Sequence, residues 1–315
     1  AAGGSNYLWY ALGPDCDREP YGLLANYAVP GVRATAQQQL ATMRARGMQR
    51  LSLGVQFAHG SGTGTVIDSG DAAAVAATAR NLADLLADVR AAGHAEVLFR
   101  FFPQGTINPS SDAFDSGLVG EYWNLVVALR PALAASGIAY RIDLFAEGMP
   151  RDRSGPWPPG TPDDPQWSRA ARRLWQNYTA SYGKLDTVGF SFLTDDDPDK
   201  LNLRVRHMDQ VYAGDYPYLV AADFYADGAI SESDKFLTFR AAMREYGFGQ
   251  LGWIISEGYH EDPSAAANFS AAIASTRQFV HYFTQWPLDR ADLECNADVN
   301  VPPPYVWDVY GGYGF

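Results

Sequence analysis

The sequence predicts an α/β fold, a single (β/α)8 barrel, and three observations carry that prediction. Short apolar runs alternate with longer amphipathic segments along the whole chain, which is typical of repeated β-α-β units. Eight of the short runs qualify as strands, and eight such units fit a closed barrel in 315 residues. Glycines lie at or just beyond the ends of the amphipathic segments, where the left-handed cap conformation costs little.

The eight predicted strands are short and apolar, and each is followed by a glycine, a proline or a polar turn. The first four are Tyr7–Leu12, Gln49–Phe57, Ala95–Phe102 and Ala139–Ala146. The last four are Thr187–Leu193, Tyr218–Phe224, Gly249–Ser256 and Gln278–Phe283. Because β-α-β crossovers are right-handed and parallel, the carboxyl ends of all eight strands should lie at one face of the barrel.

The predicted helices have apolar residues spaced three and four apart. They are Thr35–Arg46, Asp71–Ala92, Leu118–Ala135, Pro165–Tyr182, Asp199–Tyr212, Ser231–Tyr246 and Pro263–Thr276. Ser231 fits a helix N-cap and Pro263 fits a first helical position. The predicted capping glycines are Gly47, Gly93, Gly137, Gly183 and Gly247. An open doubly wound sheet is the competing fold, but no glycine-rich phosphate fingerprint follows a predicted strand.

The chain is expected to form one catalytic domain over residues 1–315, with the tail 296–315 packed on the barrel. The longest predicted loop, Gly148–Asp164, is rich in proline and glycine. Cys16 follows the first predicted strand and Cys295 follows the eighth. Those strands are neighbours in a closed barrel and their loops leave the same face, so a disulfide between the two cysteines is predicted.

The composition excludes several classes of partner. The net charge is -12, which argues against nucleic acid and anionic membranes, because binding to either needs clustered lysine and arginine. No apolar run approaches the length of a membrane span. The chain starts without an initiator methionine and predicts a mature exported protein, secreted or periplasmic. Helices rich in alanine, arginine and aspartate suggest a bacterial source, and a monomer is expected.

Two glutamates occupy positions where barrel enzymes carry their chemistry. Glu147 follows the apolar run Ile142–Ala146, Glu257 follows the run Leu251–Ser256, and a glycine follows each. A carboxylate at the carboxyl end of a buried barrel strand lies at the face where active sites form. Two of them, on different strands, could flank one glycosidic bond, which is the arrangement that a glycoside hydrolase needs.

Glycoside hydrolysis requires the two carboxyl groups to differ in protonation. One must stay protonated near neutral pH to protonate the leaving oxygen, and the other must be ionised. Glu147 precedes the long enclosing loop, so burial and a neighbouring negative charge are expected to raise its pKa. The competing interpretation is that either glutamate caps a helix or pairs with an arginine, and Glu261 is a rival nucleophile.

The order of these residues resembles the retaining glycoside hydrolases of the large clan that has a (β/α)8 barrel. The resemblance implies that Glu147 is the general acid/base and Glu257 the nucleophile. It also implies that Tyr225, after the sixth strand, orients Glu257 and that Trp286, after the eighth, packs against a sugar ring. One position departs from the pattern: the clan usually has asparagine before the acid/base, and this chain has Ala146.

Other candidates for substrate binding are polar or aromatic residues near the carboxyl ends of strands or in loops. They are Asp223, His59, Gln56, Arg100, Asp195, Trp157 and Trp307. Arg100 lies within a strand, so barrel carboxylates such as Asp143 are alternative partners for it. The run Asp195–Asp197 could suggest a metal site, but three consecutive residues cannot all face one ion, and a solvated loop or helix start is the competing interpretation.

The sequence therefore predicts a glycoside hydrolase that cleaves a polysaccharide or exopolysaccharide by a retaining mechanism, without metal or organic cofactor. An oligosaccharide substrate is included in this prediction. Two alternatives stay open. One is a catalytically inactive carbohydrate-binding barrel, suggested by Ala146. The other is a metal-dependent hydrolase or lyase that uses Asp195–Asp197.

Overall fold

The predicted (β/α)8 barrel is confirmed. The computed structural model describes residues 3–8, 10–12, 18–20, 23–60, 62, 66–150, 165–194, 198–225, 230–258 and 265–285. Within these ranges the barrel strands form one parallel sheet that curls until its two ends nearly meet, and seven α-helices alternate with the strands.

The sheet order follows the chain around the barrel. Its strands are β1 (Gly4–Asn6), β2 (Arg50–Ala58), β3 (Glu96–Pro103), β4 (Ala139–Phe145), β5 (Thr187–Phe190 and Phe192–Leu193), β6 (Leu219–Phe224), β7 (Gly252–Gly258) and β8 (Val280–Gln285). The first segment of β5 pairs with β4 and the second pairs with β6. Strands β1 and β8 are also paired, so the chain order β1 to β8 becomes a ring.

The helices lie within two residues of their predicted ranges, except that the first begins five residues before its predicted start at Thr35. They are α1 (Pro30–Ala45), α2 (Ala72–Ala91), α3 (Val119–Ala135), α4 (Pro165–Tyr182), α5 (Pro198–Tyr212), α6 (Glu232–Glu245) and α7 (Ala265–Thr276). Ser231 caps α6 in a reciprocal capping box with Asp234. The five predicted capping glycines all have positive φ, between 71° and 91°, so the predicted left-handed cap conformation is confirmed. Pro263 lies outside the described residues.

The predicted first strand, Tyr7–Leu12, is wrong. The barrel strand is Gly4–Asn6, whereas Tyr10–Leu12 pairs with Arg18–Pro20 in a separate antiparallel hairpin. The reason is steric: a Cβ on Gly4 would lie 1.7 Å from the carbonyl oxygen of Arg50 on β2. Only glycine lets β1 pass this close to its neighbour, and a search for apolar runs does not detect that requirement.

Short elements complete the described structure. They are the strand Ile67–Asp68 beside β2 and the 3-10 turns Gly105–Ile107 and Ser116–Leu118. Among the described residues, the helices are all too short or too polar to cross a membrane.

The barrel interior is built in three layers. The middle layer is apolar and contains Leu98, Val188, Ala221, Ile254 and Tyr282. At the amino end, Glu96 lies 3.0 Å from His281 Nε2, 3.4 Å from Arg50 Nε and 3.7 Å from Arg141 Nη1. The carboxyl end carries a second charged layer. The larger apolar core fills the space between the sheet and the helices.

Candidate active site

A buried arginine organises the carboxyl end of the barrel. Arg100, on β3, is 0% exposed and its guanidinium contacts three carboxylates. Its Nε donates to Asp143 Oδ2 at 3.0 Å and its Nη2 donates to Asp223 Oδ2 at 2.7 Å. Its Nη1 donates to Glu257 Oε1. An arginine suits this position because its planar fork can serve several acceptors at fixed angles.

The ring of Phe102 packs against the guanidinium of Arg100. The Arg100 Cζ atom lies 5.3 Å from the centroid of the Phe102 ring. That ring occupies the space above Gly54 on β2, where an added Cβ would lie 2.6 Å from Phe102 Cε2. Glycine at position 54 therefore admits the aromatic ring, and the ring adds a cation–π contact beneath the carboxylates.

A β-bulge turns Glu257 towards Arg100. Along β7, Ile255 pairs with Ala222 but Glu257 pairs with Asp223, so Ser256 is an extra residue. The Ser256 hydroxyl donates to Asp223 Oδ1, and Glu257 accepts from Arg100. Two consecutive side chains thus reach the same charged cluster, which regular alternation forbids. The predicted strand ended at Ser256, whereas β7 continues to Gly258.

Glu257 is held from its other side by a tyrosine. The hydroxyl of Tyr225, directly after β6, donates to Glu257 Oε2. Each oxygen of Glu257 therefore accepts a hydrogen bond, one from Arg100 and one from Tyr225. Donors to both oxygens fix the orientation of the carboxylate and favour its ionised form.

Glu147 lies in a strained turn directly after β4. Its φ is +55°, a conformation that residues other than glycine rarely adopt. The next residue must be small, because a Cβ on Gly148 would lie 2.2 Å from the Phe145 ring. The backbone N–H of Glu147 donates to Ser191 Oγ at 2.7 Å. Strain of this kind persists where surrounding contacts over-determine the backbone, and it concentrates at functional sites.

Ser191 joins the two halves of the site. It separates the two segments of β5, and its backbone N–H donates to Asp143 Oδ1 at 3.1 Å. Its hydroxyl oxygen accepts from the Glu147 N–H and also from Arg100 Nη2 at 3.1 Å. One side chain therefore touches both the backbone that carries Glu147 and the guanidinium that holds Glu257.

The environment raises the pKa of two of these carboxyl groups. Burial, followed by the charge of Asp223, raises the pKa of Glu147 to about 7, although Arg100 and Arg204 oppose the shift. Burial also raises the pKa of Asp223; Arg100 opposes this shift and the charge of Glu257 adds to it. The expected rise in the pKa of Glu147, by burial and a neighbouring charge, is thereby confirmed.

The three carboxylates Glu147, Asp223 and Glu257 lie close together. One oxygen of each is within 4.8 Å of the others, a spacing that could in principle hold a cation. Arg100 already donates to two of the three, and its fixed positive charge would oppose a metal ion at the same point. The arrangement is an ion-pair cluster built on a guanidinium, and no metal site is assigned to it.

Two predicted binding residues lie near the carboxyl end of β2. His59 is 47% exposed, and its Nδ1 lies 2.9 Å from Glu121 Oε2. The Ser69 hydroxyl donates to Glu121 Oε1 at 2.6 Å, so Glu121 has a fixed orientation beneath the imidazole. Gln56 is 5% exposed, and its Nε2 has no hydrogen-bond partner within the described part of the chain.

Arg100 and Asp223 are both fully buried in this cluster, at 0% exposure, and their expected roles in substrate binding stay predictions. The alternative considered for Arg100, that barrel carboxylates such as Asp143 satisfy its charge, is what the structure contains.

Several predicted features lie outside the described residues. These are Trp157, Asp195, Trp286, Trp307, the rival nucleophile Glu261, the cysteines Cys16 and Cys295, and the tail 296–315. The aromatic contacts, the disulfide and the packing of the tail remain predictions.

Three residues of the site were missed by sequence reasoning. Ser191 is a polar residue between two phenylalanines, and this interruption of an apolar run was the signal for it. Ser256 precedes Glu257 and enters the site only through the bulge, which has no sequence signature. Glu121 lies in the first turn of α3, 62 residues from His59, and no local pattern links the two.

The barrel is similar to solved structures at low sequence identity. A glucosidase from Croceicoccus marinus matches with TM-score 0.54 and 15% identity over 95% of this chain and 63% of that chain. The GH5_18 protein from Streptomyces cattleya, in complex with GlcNAc, matches with TM-score 0.56 and 11% identity, covering 98% and 77%. A 2-naphthoyl-CoA reductase matches with TM-score 0.51 and 10% identity, covering 80% and 44%.

At this level of identity, these similarities establish the fold alone. The same barrel supports unrelated chemistries, so they do not assign an activity. This chain spans about 63% of the length of the glucosidase. Glycoside hydrolases recur among the structural neighbours, including GH5_18 from Bifidobacterium longum and the endo-β1,6-glucanase BT3312. No protein-family model matches the sequence, and no curated protein matches it.

Proposed function

We propose that this protein is a glycoside hydrolase that cleaves a polysaccharide or oligosaccharide by a retaining, double-displacement mechanism. The observation that carries the proposal is the contrast between two neighbouring carboxyl groups. Burial and Asp223 raise the pKa of Glu147 to about 7. Glu257, a few ångströms away, accepts hydrogen bonds from Arg100 and Tyr225, which favour a carboxylate. Paired carboxyl groups in opposite protonation states are what glycosidic cleavage requires.

Glu147 takes the role of general acid and base. With a pKa near 7, the group is protonated in a large fraction of molecules at neutral pH. It donates its proton to the glycosidic oxygen as the bond to the leaving group breaks. The resulting carboxylate then removes a proton from the water that attacks in the second step.

Glu257 takes the role of nucleophile. Its two oxygens are fixed by Arg100 and Tyr225, so one lone pair can be aimed at the anomeric carbon. The glutamates offer oxygens within 4.8 Å of each other. Retaining enzymes place their carboxyl groups about 5–5.5 Å apart, whereas inverting enzymes leave roughly 6.5–9.5 Å for a water, and we propose the retaining arrangement here.

The sugar would lie across the carboxyl end of the barrel, above the buried Arg100 cluster. His59, oriented by Glu121, and Gln56, with its unpaired amide nitrogen, are the described side chains proposed to bind sugar hydroxyls. In the clan that this chain resembles, the asparagine at the position of Ala146 binds the sugar 2-hydroxyl. Ala146 has no polar side chain, so that hydroxyl needs another partner here. Trp286, Trp157 and Trp307 are proposed to pack against sugar rings. The recurrence of glycoside hydrolases among the structural neighbours is consistent with this assignment.

The test is release of reducing ends from a broad panel of polysaccharides and oligosaccharides. Wild type would be compared with Glu147→Gln and Glu257→Gln, and with Glu245→Gln, an exposed glutamate at the end of α6, as matched control. We expect turnover by wild type and by the control, and losses of about two orders of magnitude or more in both site variants. Turnover that survives both changes would refute the site.

The same panel separates the two alternatives. A carbohydrate-binding barrel would bind sugar, as measured by calorimetry, without turning it over, and Glu147→Gln would bind with the same affinity. Activity that disappears on treatment with a chelator and returns with a divalent metal would favour a metal-dependent hydrolase or lyase. For the proposed mechanism we expect activity that is indifferent to chelation.

A further inference from the structure

Asp223 occupies the centre of the charged cluster, although it does not reach solvent. It is 0% exposed at the end of β6, and both of its oxygens accept hydrogen bonds. Oδ2 accepts from Arg100 Nη2 at 2.7 Å, and Oδ1 accepts from the Ser256 hydroxyl. Its backbone carbonyl accepts from the Thr194 hydroxyl at 2.6 Å, which ties the end of β6 to β5. The carboxylate is held at both of its oxygens and its backbone at a third point, so the side chain cannot turn away from its neighbours.

The cluster contains more negative than positive charge. Asp143, Asp223 and Glu257 all bond to the single guanidinium of Arg100. Glu147 lies within 4.8 Å of Asp223 and Glu257, and Arg204 acts on it from α5. A buried excess of carboxylates is costly unless a proton is held among them, and the proton will reside where donors are fewest. Asp223 and Glu257 each accept two hydrogen bonds, so the proton is assigned to Glu147, although burial raises the pKa of Asp223 as well.

We propose that Asp223 is a positioning residue of the catalytic centre, which fixes Arg100 beneath Glu257 and, through its negative charge facing Glu147, keeps the proton on the acid. The inference rests on the proposed function, in which Glu147 must be protonated when substrate binds. It goes beyond that function because it assigns the acid's protonation to a fully buried residue on another strand.

The assignment predicts how the site responds to pH. The charged groups that act directly on Asp223 or Glu147 are Arg100 on β3, Glu257 on β7 and Arg204 on α5. Asp143 on β4 bonds to Arg100, and Tyr225 after β6 bonds to Glu257. After burial, Asp223 is the largest influence that raises the pKa of Glu147, and the two arginines act in the opposite direction. Removing the charge of Asp223 should therefore make Glu147 a stronger acid.

The test uses Asp223→Asn, with Asp143→Asn as matched control. Both variants remove one carboxylate from the same guanidinium and keep the shape, but Asp143 is bonded to Arg100 Nε and to backbone N–H groups rather than facing Glu147. The first readout is the titration of the Glu147 carboxyl carbon by NMR in protein labelled at glutamate, with the signal assigned by its loss in Glu147→Gln. The second is the pH profile of kcat/KM.

We expect the Glu147 midpoint in Asp223→Asn to fall by about one pH unit and the alkaline limb of kcat/KM to move with it. In Asp143→Asn we expect both to stay near the wild-type position, even if kcat declines because Arg100 is less well held. The inference would be overturned if the Glu147 midpoint fell equally in both variants, or if it did not fall in Asp223→Asn. If Asp223→Asn does not fold, wild type alone decides: Glu147 should titrate in two steps beside Asp223, and a single step near pH 4.5 would refute the coupling.

These outcomes separate the two proposals. A shifted midpoint in a protein that hydrolyses no glycan would support the role of Asp223 and refute the glycosidase assignment. Hydrolysis that requires Glu147, combined with an unshifted midpoint in Asp223→Asn, would leave the function standing and refute the inference.

Discussion

The hydroxyl oxygen of Ser191 accepts a hydrogen bond from the backbone N–H of Glu147 at 2.7 Å. The same oxygen accepts from Arg100 Nη2 at 3.1 Å, and Arg100 bonds to Glu257. The acid/base and the nucleophile of the proposed mechanism are therefore positioned through a common side chain. Glu147 needs this contact because its φ of +55° is not a conformation that glutamate adopts unaided.

Replacing Ser191 by alanine should lower kcat more than it raises KM. The Ser191 hydroxyl accepts from both the Glu147 N–H and Arg100 Nη2, and alanine removes this acceptor. The turn at Glu147 therefore relaxes, and Arg100 loses one contact. We expect kcat to fall about 10- to 100-fold, which corresponds to about 1–3 kcal/mol for the unsatisfied donors. The control is Ser168→Ala, a buried serine whose hydroxyl has no partner in the described structure and whose loss should leave kcat unchanged. Equal kinetics in the two variants would contradict this role for Ser191.

Replacing Arg100 by methionine should destabilise the protein as well as inactivate it. Three carboxylates would lose their buried counter-charge, a change that typically costs about 3–5 kcal/mol. Arg100→Lys keeps the charge but not the fork, so we expect partial recovery of stability without recovery of kcat. Thermal unfolding measures both variants, with Arg130→Met as control because Arg130 pairs with a single aspartate near the surface.

The stability difference between wild type and Arg100→Met should narrow at low pH. Protonation of the carboxylates removes the charges that Arg100 neutralises, and burial has already raised the pKa of Asp223. If the difference in stability between wild type and Arg100→Met stays constant from pH 7 to pH 4, Arg100 stabilises the fold by packing rather than by charge.

The raised pKa of Glu147 should make the fold less stable as the pH rises. Below pH 4.5, the ordinary value, both folded and unfolded states hold the proton; between 4.5 and about 7 only the folded state holds it. Stability is therefore lost on going up through this window, by at most about 3 kcal/mol. Glu147→Gln removes the cost of burying an ionised carboxylate. The variant should therefore unfold at a higher temperature than wild type at pH 8 and at a similar temperature at pH 4. A lower Tm for Glu147→Gln at pH 8 would contradict the burial of a charge there.

Glu96 should behave in the opposite way at the amino end of the barrel. Burial alone would raise its pKa, but the hydrogen bond with His281 and the charges of Arg141 and Arg50 outweigh burial and lower it. Its contribution is present above the ordinary pKa and is lost as the pH falls through the lowered value. Glu96→Gln should cost about 1–3 kcal/mol at pH 7, and much less at pH 3, by chemical denaturation. We expect no change in kcat, because Glu96 is at the far end of the barrel from Glu147.

Much of the fold could be predicted because local chemistry and global architecture agree. The range Pro165–Tyr182 was predicted as it occurs, and five glycines cap helices with the expected positive φ. The approach of Tyr225 to Glu257 was also predicted, from the resemblance rather than from spacing. In these cases a residue's neighbours along the chain, or its place in the strand order, already contain the relevant information.

The remaining features depend on contacts between distant strands. β1 could not be located from apolar runs because a close approach between Gly4 and Arg50 defines it. The bulge that adds Ser256 to the site is a misalignment between β6 and β7, and neither strand shows it alone. From the sequence, Arg100 was predicted to bind substrate. Its partners Asp223 and Glu257 are more than 120 residues away along the chain, and the closed barrel brings them to it.

The most direct test of the paired-carboxylate mechanism is to trap its covalent intermediate. Wild-type protein would be incubated with a 2-deoxy-2-fluoro glycoside of the sugar identified by the panel, and the labelled peptide located by mass spectrometry. The mechanism predicts one added glycosyl group, on Glu257, because the fluorine slows both steps and an activated leaving group on the glycoside speeds up only the first, so the glycosyl-enzyme accumulates. An active enzyme that carries the label on another residue, or that inverts configuration and carries no label, would contradict it.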